Sequence, residues 1–389
     1  MERAILHSDL NCFYASVEMM LDPSLKGKAV AVCGSTEDRH GIVLAKSELA
    51  KKAGVKTGMV NWEARQCCRD LITVPPQYDQ YLKYSKLTQA IYQRYTDLIE
   101  PFGMDECWLD VSGSRRVFGD SMSIAEQIRK TVREELGLTV SIGVSFNKIF
   151  AKLGSDMKKP DAITEISESS YKEKVWPLDC SEMIYCGPAT TKKLLTYGIH
   201  TIGDVAQADP LFLKRLLGVN GLALWSYANG QDQSRVMHRD FVSPVKSIGH
   251  GITCVSDLET KEEVWKVILQ LCQDIGHRLR VHELMARTVQ VQIRSNDLFG
   301  SQFQCKLPFP TQLPSEIAST AFRAFEDKYR WNNNVRAVCV RAIELVPKSQ
   351  PQQLTLFFDH EKRAAREKVE DAIEEIRSRF GKKAITYAI

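Results

Sequence analysis

The chain has 389 residues, 44% hydrophobic and 26% charged, with a formal net charge of +4 and a pI near 8.4. That length exceeds one compact core and calls for three or four modules, and the mildly basic balance permits a nucleic-acid partner without demanding one. Eleven cysteines with no Cys-x-x-Cys pair exclude a zinc or disulfide framework and read as reduced, packed thiols of a cytosolic protein; no apolar run approaches membrane-spanning length and no signal peptide precedes the first strand.

Arg3–Asp9 reads as a short apolar strand ending in a carboxylate, and Asn11–Glu18 after it as helical. Residues 19–76 form an insertion with strand-like Lys28–Gly34, then Gly41–Ser47 and Glu48–Met59. Leu82–Leu98 is expected to be a helix, with Leu87, Ile91, Tyr95 and Leu98 at helical spacing. Ile99–Phe102 and Asp105–Val111 make a tight strand pair. Ser123 and Glu126 form a capping box for a helix whose apolar face is Ile124, Ile128, Val132 and Leu136. Leu138–Ser145 is the last strand of this group. The order β-α-β-β-α-β, with an insertion after the first helix, is the split βαβ arrangement. It sets Asp9 and the Asp105/Glu106 hairpin on neighbouring central strands.

Gly143–Pro160 follows, with lysines distributed over different helix faces. Met183–Asp232 reads as short helices with glycine hinges at Gly187, Gly198 and Gly218–Gly221. Gln231–Val245 is a polar linker in which Arg235, His238 and Arg239, with Lys246 just beyond, can lie near phosphate. From Lys246 to Glu344 the pattern predicts a second α/β domain, with helix Val264–Arg280, strand Arg287–Arg294, helix Ser315–Tyr329 and strand Val335–Ile343. Its Gln290, Gln292, Arg294, Arg336 and Arg341 face solvent if the valines face the core. The tail carries Gln353-Leu354-Thr355-Leu356-Phe357, an apolar peptide in a polar stretch that needs something to bury it. Glu361–Phe380 is a charged helix of unassigned purpose.

The chemistry concentrates at Phe102–Val111. Successive strand residues point to opposite faces, so Asp105 and Glu106 converge only if one sits beside a turn, and Gly103 supplies that turn. An isolated Asp-Glu pair is ordinarily a solvated hairpin tip. Asp9, delivered by a second strand, changes that reading. Mg²⁺ is held by a few carboxylates together with waters and substrate phosphates, and a pair of ions serves an in-line phosphoryl displacement.

Asp9–Glu18 and Met104–Asp110 resemble the two catalytic motifs of the Y-family translesion DNA polymerases, with the DinB group as the nearest branch and some UmuC-like features. The resemblance covers nearly the whole chain. It implies an α+β right-hand polymerase: a ferredoxin-like palm (1–18 and 77–165), small fingers (19–76), a helical thumb with a helix-hairpin-helix (166–232), a linker (233–245), an α/β little finger (246–346) and a tail (347–389). It also implies Asp9, Asp105 and Glu106 as catalytic ligands of two Mg²⁺ ions, and Tyr14 as the ring that excludes a ribose 2′-hydroxyl. Lys51 and Lys159 are the implied cations for the triphosphate, and Gln353, Leu354, Leu356 and Phe357 the anchors of a sliding-clamp peptide. The implied partners are primer-template DNA, deoxynucleoside triphosphates and the clamp, for a monomeric cytoplasmic enzyme with no membrane association. Four positions depart from the family pattern: Gly103 stands for serine, Asn11 for aspartate, Glu48 for tyrosine and Lys51 for arginine.

Two other classes fit parts of this pattern. A nucleotidyl cyclase would use the same palm but has no use for the glycine-hinged helices, the second domain or the tail peptide. A non-catalytic, clamp-bound relative would explain Glu48 and Gly103, whereas Asp9, Asp105 and Glu106 are all retained; a UmuC-type enzyme needing partner subunits is a further variant.

Overall fold

The computed structural model describes residues 3–351, 360–381, 384 and 385, so the peptide Gln353–Phe357 lies outside the described residues. The chain divides into two compact units, one of residues 3–34 with Gly41–Val242, the other of Ser35–His40 with the chain from Ser243 onward.

The first unit begins with β1 (Ile5–Leu10) and α1 (Phe13–Leu21), then β2 (Val30–Cys33), β3 (Val43–Lys46), α2 (Glu48–Lys52), α3 (Asn61–Cys67) and β4 (Ile72–Val74). It continues through α4 (Tyr78–Tyr92), β5 (Ile99–Pro101), β6 (Glu106–Asp110), α5 (Arg115–Phe118), α6 (Ser121–Leu136), β7 (Val140–Ser145), α7 (Lys148–Met157) and β8 (Ile163–Ile166). The principal sheet has the order β5-β6-β1-β7-β8, and β2, β3 and β4 form a small sheet of their own. β1 runs antiparallel to both neighbours and all six of its residues are buried. Ile5, Leu6 and Leu10 supply its apolar contacts, while His7, Ser8 and Asp9 are polar residues buried in the same strand.

Several local expectations are corrected. The helix predicted at Leu82–Leu98 is α4, Tyr78–Tyr92, and of the four face residues proposed only Ile91 is fully buried. Its buried stripe runs through Tyr81, Ser85, Thr88 and Tyr92, so aromatic and small polar side chains make the contact while Leu82, Leu87 and Leu98 are exposed. Ser123 does not cap α6. Asp120 does, accepting from Ser123 N at 2.7 Å, so the helix starts at Ser121 after the positive-φ turn at Gly119. The strand foreseen at Leu138–Ser145 begins at Val140. β8, paired parallel to β7, had no counterpart in the sequence reading.

The remainder of this unit is helical: α8 (Tyr171–Val175), α9 (Pro188–Thr196), α10 (Ile202–Gln207), α11 (Pro210–Leu217) and α12 (Val219–Ala228). Their shared core includes Val175, Leu194, Ile202, Leu213 and Leu224. Gly218, at φ +67°, both ends α11 and opens α12, and Gly221 lets the two helices meet, because a Cβ there would lie 2.1 Å from Leu213 O.

The second unit contains β9 (Ile248–Leu258), α13 (Lys261–Val281), β10 (Leu284–Ser295), β11 (Gly300–Thr311), α14 (Pro314–Lys328), β12 (Val335–Pro347) and α15 (His360–Phe380). Its antiparallel sheet has the order β11-β10-β12-β9. Val289, Val291 and Ile293 share a core with Val338 and Val340 and with Ile268, Ile275, Ile317 and Phe325 of α13 and α14. β11 was missed because Pro308 and Pro310 interrupt its pattern; as an edge strand it tolerates them.

Candidate active site

Asp9 and Glu106 sit directly opposite each other across β1 and β6. Asp105 lies in the bend just before β6, where its carbonyl accepts from Leu10 N at 3.0 Å. Gly103, at φ +95°, makes that bend. Because Asp105 precedes the strand, it escapes the alternation that would send it to the opposite face from Glu106.

The other wall is α7, and packing fixes its position. Asn147 caps it, with Oδ1 accepting from Phe150 N at 2.8 Å. A Cβ on Gly143 would lie 1.9 Å from Ala151 O, so only glycine in β7 lets the helix lie this close. Lys152, Asp156 and Lys159 are thereby delivered to the acids. Lys152 Nζ lies 2.8 Å from Glu106 Oε1, 3.0 Å from Asp156 Oδ2 and 3.6 Å from Asp9 Oδ2. Lys159 Nζ lies 2.8 Å from both Asp9 Oδ2 and Asp156 Oδ1. Behind Glu106, His7 is fully buried, with Nδ1 2.8 Å from Ser155 Oγ and Nε2 3.5 Å from Glu106 Oε2.

Burial pushes Asp9 up to about 6 despite the opposing pull of Lys159. Burial also raises Asp105, reinforced by the Glu106 charge beside it. For Glu106 burial acts upward too, but His7 and Lys152 outweigh it and hold the carboxyl near 2. Lys159 goes up: burial disfavours its charge, and Asp9 and Asp156 more than offset that.

Tyr14 opens α1. Its ring stacks on Tyr81, centroids 4.2 Å apart, and meets Tyr78 edge-on at 6.1 Å. Its hydroxyl lies 3.8 Å from Met104 Sδ in the hairpin that carries the acids. Asn11 ties β1 to the end of the α7 segment: its Nδ2 donates to Ser141 Oγ at 2.9 Å and its Oδ1 accepts from Asp161 N at 2.8 Å. On α2, Lys51 is exposed in the last turn, while Glu48, in the first turn, accepts from the Cys12 thiol at 3.1 Å. Of the sequence-singled residues of this region, Asp9, Asp105, Glu106 and Lys159 meet in one cluster with Tyr14 and Asn11 beside it, while Glu48 and Lys51 lie on α2, outside that cluster. Lys152, Asp156, His7, Tyr78 and Tyr81 were not singled out. Lys152–Asp156 carried a signal nevertheless, since the i, i+4 spacing puts opposite charges on one helix face.

The impB/mucB/samB family profile matches residues 8–156, and the profile of that family's C-terminal domain matches residues 245–356. DNA polymerase IV of Acetivibrio thermocellus is 49% identical over 381 residues, covering 98% of this chain and 96% of that protein. DNA polymerase IV 1 of Bacillus subtilis is 37% identical over 384 residues, covering 98% and 92%. The chain belongs to the Y family of DNA polymerases. As a Y-family polymerase it is a DNA-directed DNA polymerase of translesion synthesis and requires a divalent metal. In fold it also matches a solved Y-family DNA polymerase chimera, with a TM-score of 0.78 at 23% identity, over 88% of this chain and 99% of that one. The relatives support the polymerase IV side over the UmuC-like features. Among the described residues no helix is long and apolar enough to cross a membrane, and all eleven cysteines are free thiols.

The donor set of this Y-family site fits a metal. Among the described residues no three His, Cys, Asp or Glu side chains stand close enough to enclose an ion, and ammonium groups lie against the acids instead. Asp9 and Glu106 each hold a cation at 2.8 Å through an oxygen of the hard-donor type that a divalent ion takes.

Proposed function

We propose that Asp9, Asp105 and Glu106 hold two Mg²⁺ ions and that this enzyme adds deoxynucleotides to a primer 3′ end by phosphoryl transfer. The observation that carries this is the juxtaposition of Asp9 with Glu106 across β1 and β6, with Asp105 in the adjoining bend. When bound, the metals lower the pKa of the attacking hydroxyl and neutralise charge on the triphosphate. The chain's own residues do the rest. The three carboxylates are positioned by strand register and by the bend at Asp105, with His7 behind Glu106. Lys159, released from Asp9, is the cation for the triphosphate, and Lys51 a second point charge on it. Tyr14 supplies rigid volume under the sugar.

For the second unit, the uncovered rows of the sheet support DNA-backbone binding. Gln290, Gln304, Arg341 and Gly249 make one row and Gln292, Gln302, Cys339 and Gly251 the next, with Arg294 and Lys306 beyond and no carboxylate among these residues. Polar, glycine-bearing and moderately basic, such a face suits phosphate contacts without base readout. Backbone amides at the glycine turns of α9–α12 suit the same partner. The free thiols fit a reducing cytosol, and we place the enzyme there as a monomer tethered to a sliding clamp through Gln353–Phe357.

Primer extension on an undamaged template, with this protein alone and Mg²⁺, tests the central reading. Wild type should extend. Asp105→Asn and Glu106→Gln should lose extension by several orders of magnitude while DNA affinity stays within about twofold, since only the transition-state interactions are removed. Near-wild-type extension by either variant would overturn the assignment.

A further inference from the structure

We propose that Asp156 is a positioning residue that draws Lys152 and Lys159 off the catalytic carboxylates when a divalent metal is loaded; the proposal rests on the metal-binding reading above. Each lysine is held between Asp156 and an acid of the strand pair. Lys152 Nζ is 3.0 Å from Asp156 Oδ2 and 2.8 Å from Glu106 Oε1. Lys159 Nζ is 2.8 Å from Asp156 Oδ1 and 2.8 Å from Asp9 Oδ2. The two oxygens of Asp156 thus serve one ammonium each, and a carboxylate has the acceptor capacity to keep both.

The geometry divides these contacts into two kinds. Lys152 and Asp156 lie one turn apart on α7, and Lys159, two residues past the end of that helix, reaches back to the same carboxylate. Asp9 and Glu106 belong to β1 and β6 instead. Asp9 Oδ2 and Glu106 Oε1, which the lysines now occupy, are oxygens a divalent cation would use. An ammonium cannot remain against the same oxygen without like-charge repulsion at short range. Stripping a largely buried ammonium of every counter-ion is costly, and both lysines are largely buried, with side chains 14% and 24% exposed. Asp156 removes that cost, because each lysine keeps one carboxylate when it lets the other go.

It follows that Asp156 competes with Asp9 and Glu106 for the two ammonium groups. Neutralising it leaves the lysines no other carboxylate, so they grip the metal ligands harder and metal affinity falls. Loss of one nearby negative charge would lower affinity as well, and a double-mutant cycle separates the two. Mn²⁺ is titrated into the whole protein, without DNA or nucleotide, and free Mn²⁺ is read by electron paramagnetic resonance. Asp156→Asn should raise the Mn²⁺ Kd on the order of tenfold when both lysines are present, a typical coupling within one ion-pair network. In the Lys152→Met, Lys159→Met background the same change should shift Kd by less than about twofold. Asp156→Glu, which keeps the charge, should bind close to wild type, and Asp156→Ser replaces Asp156→Asn in the cycle if the latter does not fold. An equal factor in both backgrounds overturns the proposal, because charge alone then accounts for the effect. Mn²⁺ binding that survives Asp9→Asn unchanged overturns the metal reading itself and the proposal with it.

Discussion

The ring of Tyr14 lies on that of Tyr81 with centroids 4.2 Å apart and planes 8° from parallel, and Tyr81 is itself fixed by donating its hydroxyl to Glu18. Glu18 is buried and also accepts from Gln77 Nε2 at 2.7 Å, so α1 and α4 hold the pair as one wall. The steric gate proposed for Tyr14 needs a volume that cannot yield, and this stack supplies that rigidity. Tyr14→Ala should admit ribonucleotides while deoxynucleotide insertion persists. Tyr81→Leu should keep the gate but loosen its backing, losing several-fold in sugar discrimination and about 1–3 kcal/mol of stability. The ratio of deoxy- to ribonucleotide insertion efficiencies decides it: no change in Tyr14→Ala would make another residue the gate.

The parts of this arrangement that were legible in the sequence are those governed by short-range pattern. Asp9 at the end of an apolar run, Gly103 before an Asp-Glu pair and the β-α-β-β-α-β order all follow from periodicity and turn chemistry, and they suffice for the split βαβ sheet and the acid cluster, whereas the right-hand polymerase fold class rests on the resemblance. What was not legible depends on contacts distant in sequence. The buried Tyr81–Ser85–Thr88–Tyr92 stripe of α4 looks polar until Tyr14 and Glu18 are seen against it. β8 and β11 are too short or too proline-broken to register until β7 and β10 offer them an edge. His7 was passed over because nothing local marks a histidine as facing Glu106, ninety-nine positions along the chain.

Asp9 gives the metal-free protein a pH signature. Its carboxyl titrates near 6 in the folded chain, against an ordinary value of 3.8. Between pH 4 and 6 the native state therefore holds a proton that the unfolded chain has lost, and native stability falls as pH rises through that window. Asp9→Asn lacks the effect. The stability of wild type relative to Asp9→Asn should decline from pH 4 to pH 6.5, by at most about 3 kcal/mol. Glu106 acts oppositely, since its lowered pKa loses stability only as pH falls below 4.5, at the bottom edge of this window. Urea denaturation with chelator present, compared across these pH values, should show the slope; a flat difference would refute it.

Gly143 should be among the least replaceable residues in the chain. Its missing Cβ is what lets α7 rest on β7, and a methyl there would stand 1.9 Å from Ala151 O and 2.5 Å from Ser155 N. Both obstacles are backbone, so no side-chain rotation relieves them. Gly143→Ala must lift α7, and with it Lys152, Asp156 and Lys159, off the carboxylates. The expected cost is about 3 kcal/mol or more, with a matching fall in extension rate and nucleotide affinity. A variant that melts within a degree or two of wild type would mean that α7 is not held by this contact.

A polymerase whose DNA contacts are mainly phosphate contacts should release its template often, because those contacts are sequence-blind and weaken steeply with salt. Tethering to a clamp that encircles the duplex raises the effective concentration of enzyme at the primer end without adding a DNA contact. The peptide Gln353–Phe357 has the composition for such a tether, with Leu354, Leu356 and Phe357 as apolar anchors after Pro351. Burying Leu356 and Phe357 in a groove supplies a few kcal/mol, on the order of a micromolar interaction once ordering costs are met. Replacing both with alanine should leave clamp-free extension unchanged and abolish stimulation by added clamp. A fall of several degrees in melting temperature on the same replacement would place the peptide against its own chain and reject the tether.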